Sequence, residues 1–276
     1  MTIDGLGRFG VWRGYKGFTP EDAKELEGLG YSTLWLGGSP PADLPVVEDL
    51  LAATETLSVG TSIVNIWTAP AAEVAASFHR IEARFPGRFL LGIGAGHPEF
   101  NGTYRKPYDA LVEYLDELDK AGVPRSRRAL AALGPRVLEL AAERSAGALP
   151  YLVPAAHTAF ARETLGPAGL AVEHKIVLDE DVDRARATAR PSVQMYLGLG
   201  NYVRNLRKFG FSESDVTAPG SDDLIDALAL HGSAAVVAER LRAHLDAGAD
   251  HIAVQPLGAD YLADLRELAP ALIHPA

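Results

Sequence analysis

The sequence predicts a (β/α)8 barrel, also called a TIM barrel, with a helical insertion after the seventh strand. Eight short apolar segments alternate with amphipathic helical stretches along the chain, which is typical of this fold. The apolar segments carry few polar positions, as expected of parallel strands covered by helices. The 276 residues suit one barrel, which needs about 250 residues. No linker divides the chain, so we predict a single domain over residues 1–276.

The predicted strands and helices follow from local patterns. The eight strands are predicted at residues 8–12, 32–36, 58–64, 89–94, 129–133, 148–153, 174–178 and 251–255. Thr19 before Pro20 predicts the first helix start, because a hydroxyl caps the helix and proline suits its first position. Ser233 predicts the start of the last helix before the eighth strand, and Gly248 predicts its end.

One region departs from the regular alternation. Residues 179–250 separate the seventh and eighth predicted strands and contain helical patterns at 181–196, 201–209 and 222–230. An insertion at the carboxyl end of a barrel strand lies over the barrel mouth. We therefore predict a lid or a dimer surface here.

Composition excludes several classes of protein. The absence of cysteine excludes disulfides, thiolate nucleophiles and cysteine-based zinc sites. A net charge of −10 argues against a nucleic-acid partner, and no apolar run approaches the ~20 residues of a membrane span. The first residues lack the apolar region of a signal peptide, and no HxH or HExxH pair predicts a metal site. We expect a cytoplasmic protein that acts on a small molecule.

The barrel fold also predicts where the chemistry lies, because active sites of TIM barrels are built at the carboxyl ends of the strands. This rule selects Trp12, Ser39, Ser62, Asn65, Trp67, Gly96, His97, Glu99, Gly134, Pro135, Arg136, His157, Thr158 and Gln255. Trp12 and Trp67 favour an apolar pocket for a flat or hydrophobic substrate.

Two of these segments stand out. The alternate glycines of Gly92-Ile93-Gly94-Ala95-Gly96 allow a flat ligand to approach the backbone, or form a plain turn. The turn Gly134-Pro135 presents a helix N-terminus that, with Arg136, forms either an anion site or a structural cap. His97 could donate a proton, stack on a ring or be structural.

Five blocks resemble the luciferase-like flavin and deazaflavin oxidoreductases. They are YSTLWL at 31–36, LSVGTSIV at 57–64, FPGRFLLGIGAG at 85–96, ALGPR at 132–136 and LDAGADHI at 245–252. They stand in family order over nearly the whole chain, and the block at 85–96 is the most specific. The compact length and the Gly-Pro-Arg turn look most like the branch that uses coenzyme F420, a deazaflavin.

The resemblance implies a (β/α)8 barrel that transfers hydride between C5 of coenzyme F420 and a small organic substrate, and it suggests a homodimer. An FMN-dependent luciferase-like monooxygenase is an alternative, and so is a non-catalytic ligand-binding barrel. Sugar-phosphate dehydrogenases of the family carry histidine where Ser39 stands and glutamate where His97 stands. The resemblance therefore does not imply sugar-phosphate oxidation.

The resemblance also assigns roles to particular residues. It implies a cis peptide at Ser62-Ile63 beneath the cofactor ring. The place of His97 in the predicted barrel mouth, rather than the resemblance, makes it the candidate catalytic residue. The substrate pocket would include Trp12, Ser39 and Trp67. The implied cofactor-binding residues are Ser62, Ile63, Asn65, Gly96, Gly134, Pro135, Arg136, Leu152, Val153, His157 and Thr158. Among them, the last four stand around Val153-Pro154-Ala155-Ala156, which replaces a more polar phosphate loop.

Overall fold

The computed structural model describes residue 3 and residues 5–97 and 106–273. Parallel strands form a closed ring, so the predicted (β/α)8 barrel is confirmed. The strands are β1 (Phe9–Gly14), β2 (Thr33–Gly37), β3 (Ser58–Thr61), β4 (Val64–Asn65), β5 (Phe89–Gly94), β6 (Arg128–Leu130), β7 (Gly147–Ala148), β8 (Gly169–Val177), β9 (Ala229–His231) and β10 (His251–Pro256).

Eight of these strands make the ring, in the order β10-β1-β2-β3-β5-β6-β7-β8. The ring closes where β8 pairs with β10 along six residues, from His251 opposite Ala171 to Pro256 opposite Ile176. Strand β4 resumes the third strand after a break and pairs with β5. Strand β9 pairs with β8 alone, outside the ring.

Helices surround the ring and fill the insertion. They are α1 (Pro20–Gly28), α2 (Pro45–Ala52), α3 (Ala71–Arg84), α4 (Pro107–Lys120), α5 (Pro135–Arg144), α6 (Ala155–Leu165), α7 (Val182–Leu197), α8 (Gly200–Lys208), α9 (Glu213–Val216), α10 (Asp222–Leu228), α11 (Ala234–Asp246) and α12 (Tyr261–Leu272). The Thr19 side chain accepts a hydrogen bond from Asp22 N, and Ser233 caps α11 in the same way, as their sequence patterns predict.

The two faces of the barrel strands bury two different layers. Leu34 and Leu36 of β2 pack in the large cluster between strands and helices, whereas Trp35 between them packs inside the barrel. This alternation is the two-residue period of a strand. Inside the barrel, Trp35 Nε1 donates a hydrogen bond to His251 Nε2 at 2.8 Å.

Several strand boundaries differ from those predicted. The predicted third strand ran to residue 64, but the backbone leaves the ladder after Thr61 and resumes at Val64. Strand β8 begins at Gly169 rather than at 174, and it contains Glu173 and Lys175 as a buried ion pair. Patterns of hydrophobicity miss such a paired charge.

The predicted insertion has its own small core. A cluster of buried side chains from α7, α8 and α10 lies apart from the main barrel core. Residues 222–230 were predicted as one helix, but the helix ends at Leu228 and the chain continues as β9, which pairs with β8. Helix α11, which falls in the second half of the predicted insertion, packs on α12 and α6 in the outer ring.

The described part of the chain was searched for membrane-spanning helices and for groups of metal-binding side chains. No helix there combines the length and the apolar character needed to cross a membrane. No group of three histidine, aspartate or glutamate side chains in that part is arranged to hold a metal ion.

Candidate functional site

A cavity of about 980 Å³ opens at the carboxyl ends of the barrel strands. Ligand pockets of enzymes commonly span about 300–1,000 Å³, so the cavity has room for a cofactor and a substrate. Strand ends form one wall, and helices α7 and α8 of the insertion form the opposite wall. The insertion therefore covers part of the mouth, as predicted, through residues 192–208.

A break in the third strand shapes the floor of the cavity. The peptide bond between Ser62 and Ile63 is cis, as the resemblance implied, and both residues line the cavity. Thr61 stabilises the break, because its hydroxyl donates to Gly92 O and accepts from Gly92 N, both at 2.8 Å. A side chain thus replaces backbone pairing between β3 and β5 at this point.

The glycines of β5 serve this break rather than a ligand. A Cβ atom on Gly92 would lie 1.8 Å from Thr61 O, and one on Gly94 would lie 2.8 Å from Ile63 Cγ1. Both glycines are therefore required for packing between strands. Of the three, Gly96 alone lines the cavity, with a φ of 58°. Of the three glycines, therefore, Gly96 alone stays a candidate for close approach of a ligand.

The first two strands contribute an aromatic and a polar group. Trp12 lines the cavity with its ring 5.2 Å from that of Tyr151. A Cβ on Gly37 would lie 2.0 Å from the Trp12 ring, so the glycine lets the indole lie flat on β2. Ser39 follows on the same wall, in a left-handed conformation with φ of 55°.

His97 connects the barrel wall to the insertion wall. Its Nδ1 lies 3.3 Å from Asn201 Oδ1 of α8, and its ring lies 5.2 Å from that of Tyr202. His97 lines the cavity, as expected for a residue at the end of the fourth barrel strand. Its catalytic role stays a prediction.

Three tyrosines form an aromatic cluster in the cavity, and two of them are joined by a hydrogen bond. The Tyr196 hydroxyl donates to the Tyr151 hydroxyl at 3.0 Å, and Tyr151 donates to Gln255 Oε1 at 3.0 Å. The Tyr202 ring lies 5.2 Å from that of Tyr196. Burial raises the pKa of all three phenols, so they are neutral near pH 7.

A buried ion pair lies beneath this cluster. Lys175 Nζ lies 3.0 Å from Glu173 Oε1 and 4.0 Å from the centre of the Tyr151 ring. Burial raises the pKa of Glu173 and lowers that of Lys175, and the attraction between the two charges opposes both shifts. The other carboxylate oxygen accepts from Leu152 N at 3.1 Å. The pair therefore fixes the loop that carries Tyr151.

The charged lining of the cavity is entirely cationic within the described residues. Arg204 and Lys208 of α8 line it, and no carboxylate does. Lys208 Nζ lies 3.6 Å from the centre of the Phe160 ring, which packs against His157 and Phe209. The insertion thus supplies positive charge beside the barrel loops, although the whole chain is acidic.

The Gly134-Pro135 turn lies at the edge of the cavity, and α5 begins at Pro135 as predicted. The Arg136 side chain points elsewhere, since its guanidinium lies 4.2 Å from the centre of the Tyr108 ring. Arg136 is not part of the cavity wall, whereas Tyr108 is. A contact between Arg136 and an anion in the cavity would require the side chain to leave this ring.

The structure brings nine of the predicted site residues into the cavity wall. They are Trp12, Ser39, Ser62, Ile63, Gly96, His97, Gly134, Pro135 and Gln255. The others lie outside it: Asn65, Trp67, Arg136, Leu152, Val153, His157 and Thr158. Glu99, also selected from the sequence, lies outside the described residues.

Those other residues have structural contacts. Asn65 Oδ1 accepts from Trp67 N at 3.0 Å, and Trp67 Nε1 donates to Ala95 O at 2.6 Å. His157 and Thr158 are fully buried, where His157 Nε2 lies 2.9 Å from Leu133 O and the Thr158 hydroxyl lies 2.7 Å from His244 Nδ1. Leu152 and Val153 are buried as well. These four side chains of the Leu152–Thr158 segment thus face the core rather than the cavity.

Sequence reasoning missed the cavity residues that come from the insertion and from the loop after β7, the sixth strand of the ring. They are Tyr151, Tyr196, Asn201, Tyr202, Arg204, Asn205 and Lys208. In α8 a signal was present, since Asn201, Arg204, Asn205 and Lys208 recur at helical spacing within a segment already placed over the mouth. For Tyr151 and Tyr196 the sequence carries no comparable signal.

Comparison with known proteins identifies the family. The family model for luciferase-like monooxygenases matches residues 8–251. The chain belongs to the luciferase-like monooxygenase family. No curated protein sequence matches it.

Solved structures of similar fold include enzymes with two different cofactors. An F420-dependent secondary alcohol dehydrogenase in complex with an F420-acetone adduct aligns with a TM-score of 0.76 at 14% identity, over 97% of this chain and 99% of that one. A coenzyme F420-dependent tetrahydromethanopterin reductase from Methanopyrus kandleri aligns at 0.73 and 16%, over 98% and 99%. The oxygenating constituent of 3,6-diketocamphane monooxygenase from Pseudomonas putida, in complex with FMN, aligns at 0.68 and 15%, over 97% and 100%.

Proposed function

We propose that this luciferase-like protein is a coenzyme F420-dependent oxidoreductase that transfers hydride between the deazaflavin and a small organic substrate. The observation that carries the proposal is a cavity that has the Ser62-Ile63 break on its barrel side, a cationic helix on the opposite side and no carboxylate among its described lining residues. Coenzyme F420 joins a flat ring to a phosphodiester and glutamate tail, and this cavity offers a place for each. Two of the similar structures are named as F420-dependent enzymes.

The residues present fit such a group in two parts. Ser62 and Ile63 offer a backbone surface, with Gly96 beside it, on which a flat ring could lie. Arg204 and Lys208 offer the positive charge that an acidic protein needs to hold an anionic tail. Four side chains of the predicted phosphate loop at Leu152–Thr158 are buried, so we place the anion contacts on α8 and on the Gly134-Pro135 turn.

The bound deazaflavin would supply a hydride donor or acceptor at C5. The residues of the chain would position the cofactor and the substrate and enclose them. The Ser62-Ile63 break holds the ring surface, Tyr108 and Leu111 of α4 and Leu199 of the insertion exclude water, and His97 presents an imidazole at the end of β5. His97 Nδ1 lies near Asn201 Oδ1, and its imidazole is the group that could exchange a proton with a substrate.

An FMN-dependent monooxygenase is the second candidate. Its support is the fold shared with the FMN-bound monooxygenase constituent, at a TM-score of 0.68. FMN carries a phosphate, so the same cationic wall suits it. A non-catalytic binding barrel is the third candidate, and a homodimer stays a prediction.

A direct titration separates these candidates. Purified protein freed of ligand is titrated with coenzyme F420 and with FMN, and binding is followed by cofactor fluorescence. We expect tighter binding of F420, and reduced F420 should then be oxidised when an organic acceptor is added. Preferential binding of FMN would favour the monooxygenase, and binding of neither would leave the non-catalytic barrel.

A further inference from the structure

The last barrel strand ends in an amide side chain that is engaged at one atom only. Gln255 of β10 is half-buried and lines the cavity. Its Oε1 accepts a hydrogen bond from the Tyr151 hydroxyl at 3.0 Å. Its Nε2 has no hydrogen-bond partner among the described residues and, unlike the indole nitrogen of Trp12, is not sealed from solvent. An amide NH2 group only donates, so Gln255 offers the cavity a hydrogen-bond donor.

The neighbours of Gln255 fix which end of the amide faces the cavity. The Tyr196 hydroxyl donates to the Tyr151 hydroxyl at 3.0 Å, so Tyr151 gives its own hydrogen to Gln255. Burial raises the pKa of Tyr151 and keeps that hydrogen in place. Lys175 Nζ lies 4.0 Å from the centre of the Tyr151 ring and holds it from below. The Oε1 atom is therefore occupied, and Nε2 is the atom presented to a ligand.

The order of the strands separates this donor from the surface proposed for the cofactor ring. Gln255 belongs to β10, and the Ser62-Ile63 break follows β3, three strands further round the ring of eight. Strand β1 and the residue pair after β2 lie between them and contribute Trp12 and Ser39 to the cavity wall. Positions three strands apart lie on nearly opposite sides of such a ring. The donor therefore lies on the side of the cavity left to a substrate.

The surroundings of the donor favour a neutral ligand with an acceptor oxygen. Tyr151, which bonds to Gln255, lies with its ring 5.2 Å from that of Trp12. The Lys175 ammonium beneath is neutralised by Glu173 at 3.0 Å. A carbonyl oxygen accepts and cannot donate, so it matches an amide NH2 group, and the two rings favour an aromatic or unsaturated body beside it.

We propose that Gln255 donates a hydrogen bond to a carbonyl oxygen of the substrate, with Tyr151 as the positioning residue that orients its amide. The proposal deepens the proposed function and rests on it for the cofactor that shares the cavity. It names the substrate class as small aromatic or unsaturated ketones and aldehydes. Because Tyr196 belongs to α7, the chain of hydroxyls also joins the insertion to the end of β10.

The test compares two probes of nearly the same shape, acetophenone and α-methylstyrene, which differ by C=O against C=CH2. Binding of each probe to the full chain is measured by ligand-observed NMR, with and without F420. We expect wild type to favour acetophenone by about fivefold, the net effect of one hydrogen bond. Gln255→Met, which keeps the length of the side chain without its donor, should abolish the preference and leave the affinity for α-methylstyrene unchanged.

Three further variants separate the donor from its support and from the general polarity of the cavity. Gln255→Glu keeps an acceptor for Tyr151 but removes the donor, so it should also abolish the preference. Tyr151→Phe frees the amide to rotate and should reduce the preference to about twofold. Tyr202→Phe is the matched control, because it removes a hydroxyl from the same cavity outside this chain, and it should keep the preference. Thermal unfolding verifies that each variant is folded.

Several results would overturn the proposal. One is equal binding of the two probes, or binding of neither, by wild type. Another is a preference that survives in both Gln255 variants, and a third is an equal loss in Tyr202→Phe. A loss of F420 affinity in Gln255→Met with an unchanged preference between the probes would assign the donor to the cofactor instead. Failure of wild type to bind F420 or FMN would refute the proposed function alone, since the probes still report on the ligand-free protein.

Discussion

The barrel and the insertion are held together by different forces. The barrel buries a large apolar core and keeps His157, His244 and His251 neutral inside it. The insertion has a small core and is bound by pairs of arginine and aspartate at its surface, such as Arg186 with Asp226. The cavity lies between the two. A barrel made rigid by packing can support a ring, whereas a segment held by surface charges can change its contacts at little cost.

The largest expected effect is acid unfolding of the barrel. Burial lowers the pKa of His157, His244 and His251 to about 4, whereas these imidazoles titrate near 6.5 when unfolded. As the pH falls from 6.5 to 4, the unfolded state binds more protons, so the free energy of unfolding falls by up to about 1.4 kcal/mol per pH unit for each histidine.

Hydrogen exchange followed by mass spectrometry should show which region opens first. Arg186 and His231 lower the pKa of Asp226, so that pairing survives until the pH drops below the ordinary range of an aspartate. Helices α6 and α11 of the barrel should therefore lose protection at a higher pH than α7 and α10. A free energy of unfolding that is flat between pH 6.5 and 4 would contradict the prediction.

The next largest effect is expected at the ion pair under the tyrosines. Lys175→Met leaves the Glu173 carboxylate buried without its partner, which should cost about 3–5 kcal/mol in denaturant unfolding. The double variant Glu173→Gln, Lys175→Met should lose clearly less, because no lone charge remains buried. Equal losses in the single and double variants would show that packing rather than charge is what matters here.

A third prediction compares two glycines of the cavity region. Gly92→Ala should destabilise the barrel by about 2 kcal/mol or more, since its Cβ would lie 1.8 Å from Thr61 O and the backbone must shift. Gly134→Ala is the control, because its Cβ would have no atom within 4 Å and its φ is −90°. The free energy of unfolding of Gly134→Ala, measured by thermal unfolding, should change by less than about 0.5 kcal/mol. Similar losses at both sites would refute the strand-packing role of Gly92.

The smallest predicted effect concerns the cationic wall. Arg204→Gln with Lys208→Gln should weaken F420 binding by about 1–2 kcal/mol, the scale of charge-assisted contacts at a partly exposed site. The loss should shrink as salt rises. Arg136→Gln is the control and should leave the affinity nearly unchanged, because Arg136 lies over Tyr108. A larger loss of F420 affinity in the Arg136 variant would instead place the anion site at the Gly134-Pro135 turn before α5.

The barrel was accessible from sequence because its signals are local. Strand–helix alternation, the capping residues Thr19 and Ser233 and the Gly134-Pro135 helix start each depend on neighbours in the chain. The cavity wall at Ser62-Ile63 was accessible through family resemblance, not through physics of the sequence. The tyrosine cluster was not accessible, since it joins residues 151, 196, 202 and 255 across the fold.

Side-chain direction was the other limit. Arg136 and Thr158 stand at the expected places in the chain, yet one stacks on Tyr108 and the other bonds to His244. A position at a strand end says where the Cα atom lies, whereas the contact depends on rotamers and on neighbours distant in sequence. Charge at Glu173 and Lys175 likewise concealed the start of a strand.

Strand β9 has a consequence for how such proteins diversify. It pairs with β8 from Ala229 opposite Lys175 to His231 opposite Val177, the residue at which β8 ends and the insertion begins. The two ends of the insertion therefore lie side by side at the carboxyl end of β8. Replacing that chain with a sequence of different length or composition would leave the ring of eight strands joined. Exchange of the insertion at these two points would change one wall of the cavity in a single event and leave the barrel unchanged.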